Sequence, residues 1–307
     1  MTDIMACAVE AAAAWGPLAR PPRLIGEREN AVFEVEFTDA TRAALRLHRA
    51  GYQSATSITS ELLWTEALAE NGFPCPQPLR SKTGSLTATL EGGQLASAVS
   101  WIDATCIGEN GVPLVGDGPA LYEKLGKLIR QMHDLTDQID TSGMTRPSWK
   151  LDALLGDDPH WGRFWLNPAL SADEQELLQA ARKNAAQQLN RNNTLSVGLI
   201  HADILQENIL QNECGLHLID FDDCGTGYRL FDLGTALVQH EDDPNLGPLT
   251  DGLCAGYGCA PDLMPLFIML RGLASCGWII SRAPATDPRQ RLYAERALRC
   301  ATRYLAA

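Results

Sequence analysis

Between Phe33 and Phe37 the chain alternates apolar and charged positions. Phe33, Val35 and Phe37 are separated by Glu34 and Glu36, and after the polar turn 38–41 the period resumes through Ala43, Leu45 and Leu47. Successive side chains of a strand point to opposite faces, so this pattern predicts an antiparallel hairpin with one buried face. Residues 57–70 switch to helical spacing through Ile58, Leu62, Leu63 and Leu68. Asn71-Gly72 and the prolines at 74, 76 and 78 stop that helix. Strand-like segments with glycine turns follow over 79–101, so the first third reads as a small sheet crossed by one helix.

From Pro119 the period becomes 3.6, with Leu121, Leu125, Leu128, Met132 and Leu135 on one stripe. Ser171 and Glu174 form an S-x-x-E capping box that opens a second helix. The remainder reads as mainly helical, with two short strands over 208–210 and 216–219 around the turn 212–215. The apolar run 263–281 holds Pro265 and Arg271, which predicts a buried helix pair rather than a membrane span. The change from strand to helix patterning near 101–106 predicts a hinge between residues 1–103 and 104–307.

Composition narrows the function. The 307 residues are 45% hydrophobic, enough for a proper core. A net charge of -13 without a basic stripe argues against nucleic acid as a partner. The nine cysteines include no C-x-x-C pair, which fits free thiols in a reducing compartment. Asp3 and Glu10 stand where a signal peptide would need positive charge, so the expectation is a cytoplasmic protein with no membrane partner.

The chemistry concentrates past position 200. His201-Ala202-Asp203-Ile204-Leu205-Gln206-Glu207-Asn208 reads H-x-D-x-x-x-x-N, and Ile219-Asp220-Phe221-Asp222 follows after the predicted hairpin. Phosphoryl transfer needs a carboxylate to orient the attacking hydroxyl and oxygen ligands for magnesium. Asp203 supplies the first, and Asn208 with Asp220 can meet a hard cation. Asp222 is open between a second-metal or substrate role and solvation of the hairpin.

This segment resembles the aminoglycoside phosphotransferase and choline kinase family. Its pattern continues with D-L-A or a close variant, here Asp232-Leu233-Gly234. The resemblance implies an α+β, protein-kinase-like fold of two lobes, a small antiparallel-sheet lobe and a larger, mainly helical one. It implies Asp203 as catalytic base, Asn208 and Asp220 as Mg2+ ligands, Asp232 as a buried acceptor steadying the catalytic loop, and His201 as structural. It also implies ATP or GTP as donor and a small-molecule hydroxyl compound as acceptor. Gly26-Glu27-Arg28-Glu29-Asn30-Ala31 occupies the place of a phosphate-covering turn, with Gly26 and Asn30 as candidate nucleotide contacts.

A kinase-like lobe needs a strand cation for the phosphates and a helical carboxylate to hold it. Arg46 and Glu61 occupy those places, and none of the lysines at 82, 124, 127, 150 and 183 falls on the strand. Arginine can bind phosphate oxygens two at a time. The competing reading makes Arg46 an exposed strand residue paired with Glu34 or Glu36, and Glu66 rivals Glu61. Two other functions compete: a catalytically silent nucleotide-binding protein, and a hydrolase with metal on His201 and Asp203. His133 reads as a packed core histidine, Glu241-Asp242-Asp243 as a solvated loop, and Trp149, Trp161 and Trp165 as either pocket walls or packing.

Overall fold

The computed structural model describes residues 4–27, 30–109, 114, 116–192 and 194–307. The chain divides into two compact units. The first comprises Met1–Thr105, Ile139–Arg146 and His217–Asp222; the second comprises Cys106–Gln138, Pro147–Leu216 and Asp223–Ala307.

In the first unit, α1 (Ile4–Ala12) precedes β1 (Arg23–Glu27), β2 (Asn30–Glu36) and β3 (Arg42–His48). α2 (Ala55–Glu70), β4 (Thr87–Thr89) and β5 (Leu95–Ser100) follow. The five strands form one antiparallel sheet in the order β1-β2-β3-β5-β4. Alternation decides which face is buried against what. Phe33, Val35, Phe37, Ala43, Leu45 and Leu47 form one cluster with Ala8, Ala11 and Ala12 of α1. The even positions, Arg46 among them, therefore face the other side, where α2 contributes Ile58 and Leu62. Ser54 caps α2 by accepting from the Ser57 amide.

Glu34 is a polar residue that the alternation alone places outside, yet it is only 5% exposed. Arg42 Nη2 at 2.8 Å and Arg20 Nη2 at 3.0 Å donate to Oε1, and Arg23 Nε at 2.8 Å donates to Oε2. These guanidiniums, Arg42 first and Arg23 second, hold the Glu34 carboxyl at about 2 against an ordinary 4.5, with burial opposing them. The folded protein thus binds this proton more weakly than the unfolded chain. The group's stabilisation is complete above the ordinary pKa and is lost as pH falls through the folded one. In acid titrations of the denaturation midpoint from about pH 5 to 2, Glu34→Gln is expected to show a flatter decline than the parent.

The second unit carries β6 (Thr105–Cys106, shared at the junction), α3 (Gly118–Thr136), β7 (Ser148–Trp149), α4 (Leu151–Leu155), α5 (Ala172–Arg191) and β8 (Val197–Ile200). After β9 (Ile209–Asn212) and β10 (Gly215–Leu218, its last two residues counted in the first unit) come β11 (Gly225–Tyr228), α6 (Leu230–Leu237), α7 (Leu246–Tyr257), α8 (Met264–Trp278) and α9 (Pro288–Ala306). Both halves of the Ser171/Glu174 capping box form. The mainly helical reading misses the small sheet β7-β11-β8, in which β11 runs parallel to β7 and antiparallel to β8.

Over 263–281 the chain makes one α-helix with a 3₁₀ turn at each end, not a helix pair, because Pro265 falls in its first turn, where no amide bond is lost. Pro261–Ser281 is the one described stretch long and apolar enough to cross a membrane, and 72% of that window is buried inside the protein. Two glycines let α8 sit this deep. A Cβ on Gly234 would lie 2.4 Å from the Phe267 carbonyl carbon, and one on Gly277 would lie 2.5 Å from the Gly162 oxygen.

Candidate active site

In the second unit β8 delivers the chain into His201, Ala202 and Asp203. Asp232, in the first turn of α6, is fully buried and accepts from two consecutive amides: His201 N at 3.0 Å and Ala202 N at 2.7 Å. A carboxylate bonded to backbone amides in a dry site makes a strong fixed anchor. It holds Ala202 at φ 66°, a left-handed conformation that disfavours a Cβ by roughly 1–2 kcal/mol. His133 is buried, as its stripe predicts, but it is more than packing. One ring nitrogen lies 3.0 Å from Asp232 Oδ2 and the other 3.0 Å from the Tyr257 hydroxyl. His201 is buried, and its Nδ1 accepts from the Asp203 amide at 3.3 Å.

Both oxygens of the Asp203 carboxylate are engaged. Asn208 Nδ2 donates to Oδ2 at 2.9 Å and to the Asp203 carbonyl at 2.9 Å, while Arg271 Nη2 donates to Oδ1 at 2.6 Å. The four residues between Asp203 and Asn208 thus close a loop that sets a carboxylate beside a carboxamide. Because the Asn208 amide hydrogens go to Asp203, its oxygen is the atom left for a hard cation. Gln239 braces the loop from outside, accepting from Gln206 N at 2.8 Å and donating to Glu207 Oε2 at 2.8 Å.

The first unit holds the other chemical residues. Arg46 is 7% exposed and Glu61 1%, and Arg46 Nη2 meets Glu61 Oε1 at 2.6 Å. The alternative of an exposed Arg46 paired with Glu34 or Glu36 is therefore wrong: Arg20, Arg23 and Arg42 take Glu34 instead. Glu66 is bound at 2.9 Å by Arg80 Nε and is not the partner of Arg46. Asp222 is 6% exposed, so hairpin solvation does not describe it. Burial first, then Glu61 and Asp220, pushes its carboxyl up to about 7. For Arg46, burial works against the charge, but Glu61, Asp222 and Asp220 outweigh it and hold the guanidinium protonated. Asp220 stands at φ 64°, a region Asp tolerates better than most residues. Arg146 ties this cluster to α2, donating to the Ser57 carbonyl at 3.0 Å and to the Asp222 carbonyl.

Three buried atoms of this cluster have no hydrogen-bond partner among the described residues: Arg46 Nε, Glu61 Oε2 and Asp222 Oδ1. Unpaired donors and acceptors in a dry site mark a place where a ligand completes the bonding. A guanidinium with a spare N–H suits a phosphate oxygen, and crowded carboxylates suit a divalent cation. Among the described residues no three His, Cys, Asp or Glu side chains form a metal cluster. A cation held here by these residues would need phosphate oxygens and water to complete its shell.

Gly26 lies in the exposed strand β1, where a Cβ would meet nothing within 4 Å. Asn30 Oδ1 accepts from Arg49 N at 3.3 Å. Arg28 and Glu29, between them, lie outside the described residues. Trp149 packs edge-on against Trp161 with ring centroids 4.7 Å apart, and Trp165 carries Arg182 over its ring at 4.2 Å, so all three tryptophans make packing contacts. Glu241 is no solvated loop residue: it is 2% exposed and bound by Arg299 at 2.6 Å. The residue that sequence reasoning passes over is Arg271. Its signal is that it is the sole charge in the apolar helix α8, where an arginine must find a partner.

The sequence profile of the phosphotransferase enzyme family matches residues 22–267. A microcompartment-associated aminopropanol kinase has a solved structure that superposes with a TM-score of 0.85 at 27% identity, covering 99% of this chain and 98% of that one. An amicoumacin kinase solved in complex with AMP-PNP, Ca2+ and Ami superposes with a TM-score of 0.74 at 18% identity, covering 96% and 92%. By sequence, the homoserine kinase of Methylobacillus glycogenes is 27% identical over 161 residues, 52% of this chain and 45% of that protein. A match spanning most of the chain, carried on a kinase-like fold, means that the protein belongs to the phosphotransferase enzyme family of small-molecule kinases that includes the aminoglycoside phosphotransferases and choline kinases.

Proposed function

We propose that this protein transfers the γ-phosphoryl of ATP or GTP, with Mg2+, to a hydroxyl of a small molecule in the amino alcohol or hydroxy amino acid class. The observation that carries this reading is the catalytic loop, where the Asp203 carboxylate and Asn208 amide lie side by side on a backbone pinned by Asp232. Asp203 orients the acceptor hydroxyl and receives its proton. Arg46 grips phosphate oxygens and Glu61 keeps it aimed. Asn208 and Asp220 are the residues that would hold the magnesium, and Asp222 is a further candidate ligand. A magnesium ion held by them would supply charge neutralisation for the phosphates. The aminopropanol kinase and homoserine kinase likenesses support the acceptor class, and the AMP-PNP bound in the amicoumacin kinase supports a nucleoside triphosphate donor.

The test is a screen for acceptor-stimulated ADP or GDP release across 1-amino-2-propanol, homoserine, ethanolamine, choline, fructosamines and aminoglycosides. At least one acceptor should raise release on the order of tenfold or more over the rate with water alone, and EDTA should abolish the increase. If ATP with magnesium raises the melting temperature but no acceptor raises turnover, the protein is a silent nucleotide binder instead.

A further inference from the structure

We infer that Arg271 is the positioning residue of the catalytic carboxylate: from inside α8 its guanidinium fixes the plane of Asp203 so that one face of that carboxylate meets the acceptor hydroxyl. The inference rests on the phosphotransferase reading of Asp203.

Arg271 is 4% exposed, on a helix otherwise made of apolar and small side chains. A buried arginine is expensive unless each part of it is held. Here two of its three nitrogens are bonded and its face lies over a ring, while Nε has no hydrogen-bond partner among the described residues. Nη2 reaches Asp203 at 2.6 Å, Nη1 donates to the Ser275 hydroxyl one turn on, and the guanidinium carbon lies 4.9 Å from the centre of the Trp161 ring. The close approaches at Gly234 and Gly277 pack α8 tightly against its neighbours and so set where the stem of Arg271 starts. The Asp203 side chain, by contrast, is 18% exposed. The carboxylate therefore has a buried cation behind it and an open side in front.

A carboxylate turns easily about its Cβ–Cγ bond, a broad two-fold torsion. One hydrogen bond, from Asn208, leaves that rotation partly free; a second, on the other oxygen, fixes the plane. Phosphoryl transfer through a loose transition state asks mainly for direction, because the hydroxyl proton leaves late. Geometry is then worth more than basicity, and a misplacement near 1 Å costs on the order of 10²-fold.

The experiment compares the parent with Asp203→Asn, Arg271→Met, Arg271→Lys and the double variant Asp203→Asn/Arg271→Met, all as full-length chains. With saturating nucleotide and acceptor, Arg271→Met should lose about 100-fold in kcat with little change in the KM for nucleotide. Arg271→Lys, which restores one directed charge, should recover roughly tenfold of that loss. The double variant should be no slower than Asp203→Asn alone, because both changes act through one carboxylate. Hydrogen exchange should show faster exchange of the 204–208 amides in Arg271→Met while α8 and α9 keep their protection.

A kcat for Arg271→Met within about threefold of the parent overturns the inference. So does a loss that Arg271→Lys does not relieve and that comes with deprotection of α8, since that is a purely structural role. Should Arg271→Met not fold, Arg271→Lys and the double variant, which removes both charges, decide the matter. A parent with no acceptor-dependent turnover defeats the phosphotransferase reading, and the exchange measurement still shows whether Arg271 holds the loop.

Discussion

Asp203→Asn is expected to lower kcat with the best acceptor by on the order of 10³-fold while leaving the KM for nucleotide nearly unchanged. The substitution keeps the size and shape of the side chain, so the loss reads chemistry and not packing. It also has a consequence for stability that follows from the two partners. Asn208 Nδ2 and Arg271 Nη2 are both donors, each aimed at a different oxygen of Asp203. An amide offers one oxygen and one NH2 group, so one of the two donors must then face another donor. Leaving a buried donor unsatisfied costs about 1–3 kcal/mol, which a denaturant titration resolves. Steady-state kinetics and the unfolding midpoint, measured together, check both halves. Retention of more than roughly a tenth of the parental kcat would remove Asp203 from the mechanism.

What the amino-acid order discloses and what it hides divide along a physical line. Features set by neighbours a few residues apart are legible. The alternation through Phe33 and Leu45, the stripe through Leu125 and Met132, and the Ser171 capping box all appear in the fold. The H-x-D-x-x-x-x-N segment is legible because one short loop must return Asn208 to Asp203.

Features that exist only through distant pairing are not legible. The strands β7, β8 and β11 are two to four residues long, the last two containing glycine, too short for any period to show, and they are strands only because they lie against one another. Glu34 looks like a solvent-facing position until three arginines gather on it. Arg271 meets Asp203 across 68 residues of chain, and no local signal names that partner. What local sequence does give is the anomaly: a lone charge in an apolar helix, or a carboxylate in an alternating strand, has to be explained by something elsewhere.

Arg46→Met should destabilise the protein by about 3–5 kcal/mol, because it leaves Glu61 as an unpaired carboxylate that is 1% exposed. The repulsion is larger than one lost pair, since Glu61 and Asp220 already push the Asp222 carboxyl up to about 7. Removing the neighbouring cation worsens that crowding. The double variant Arg46→Met/Glu61→Gln removes both charges and should recover most of the lost stability. Nucleotide binding should follow a different order. Arg46 gives one N–H to Glu61 and keeps Nε without a hydrogen-bond partner among the described residues. On the proposed reading that spare donor belongs to a phosphate oxygen, so the double variant folds yet binds nucleotide as poorly as Arg46→Met.

Arg46→Lys separates the two duties. An ammonium keeps a charge near Glu61 and much of the stability, but it lacks the rigid fork that reaches carboxylate and phosphate together. Its KM for ATP should rise by roughly tenfold with a smaller loss of unfolding free energy than in Arg46→Met. If the double variant regains both stability and nucleotide affinity, the buried pair is a structural strut and Arg46 does not touch the phosphates. If only stability returns, the arginine on this strand does the work that the chain's five lysines, all elsewhere, do not.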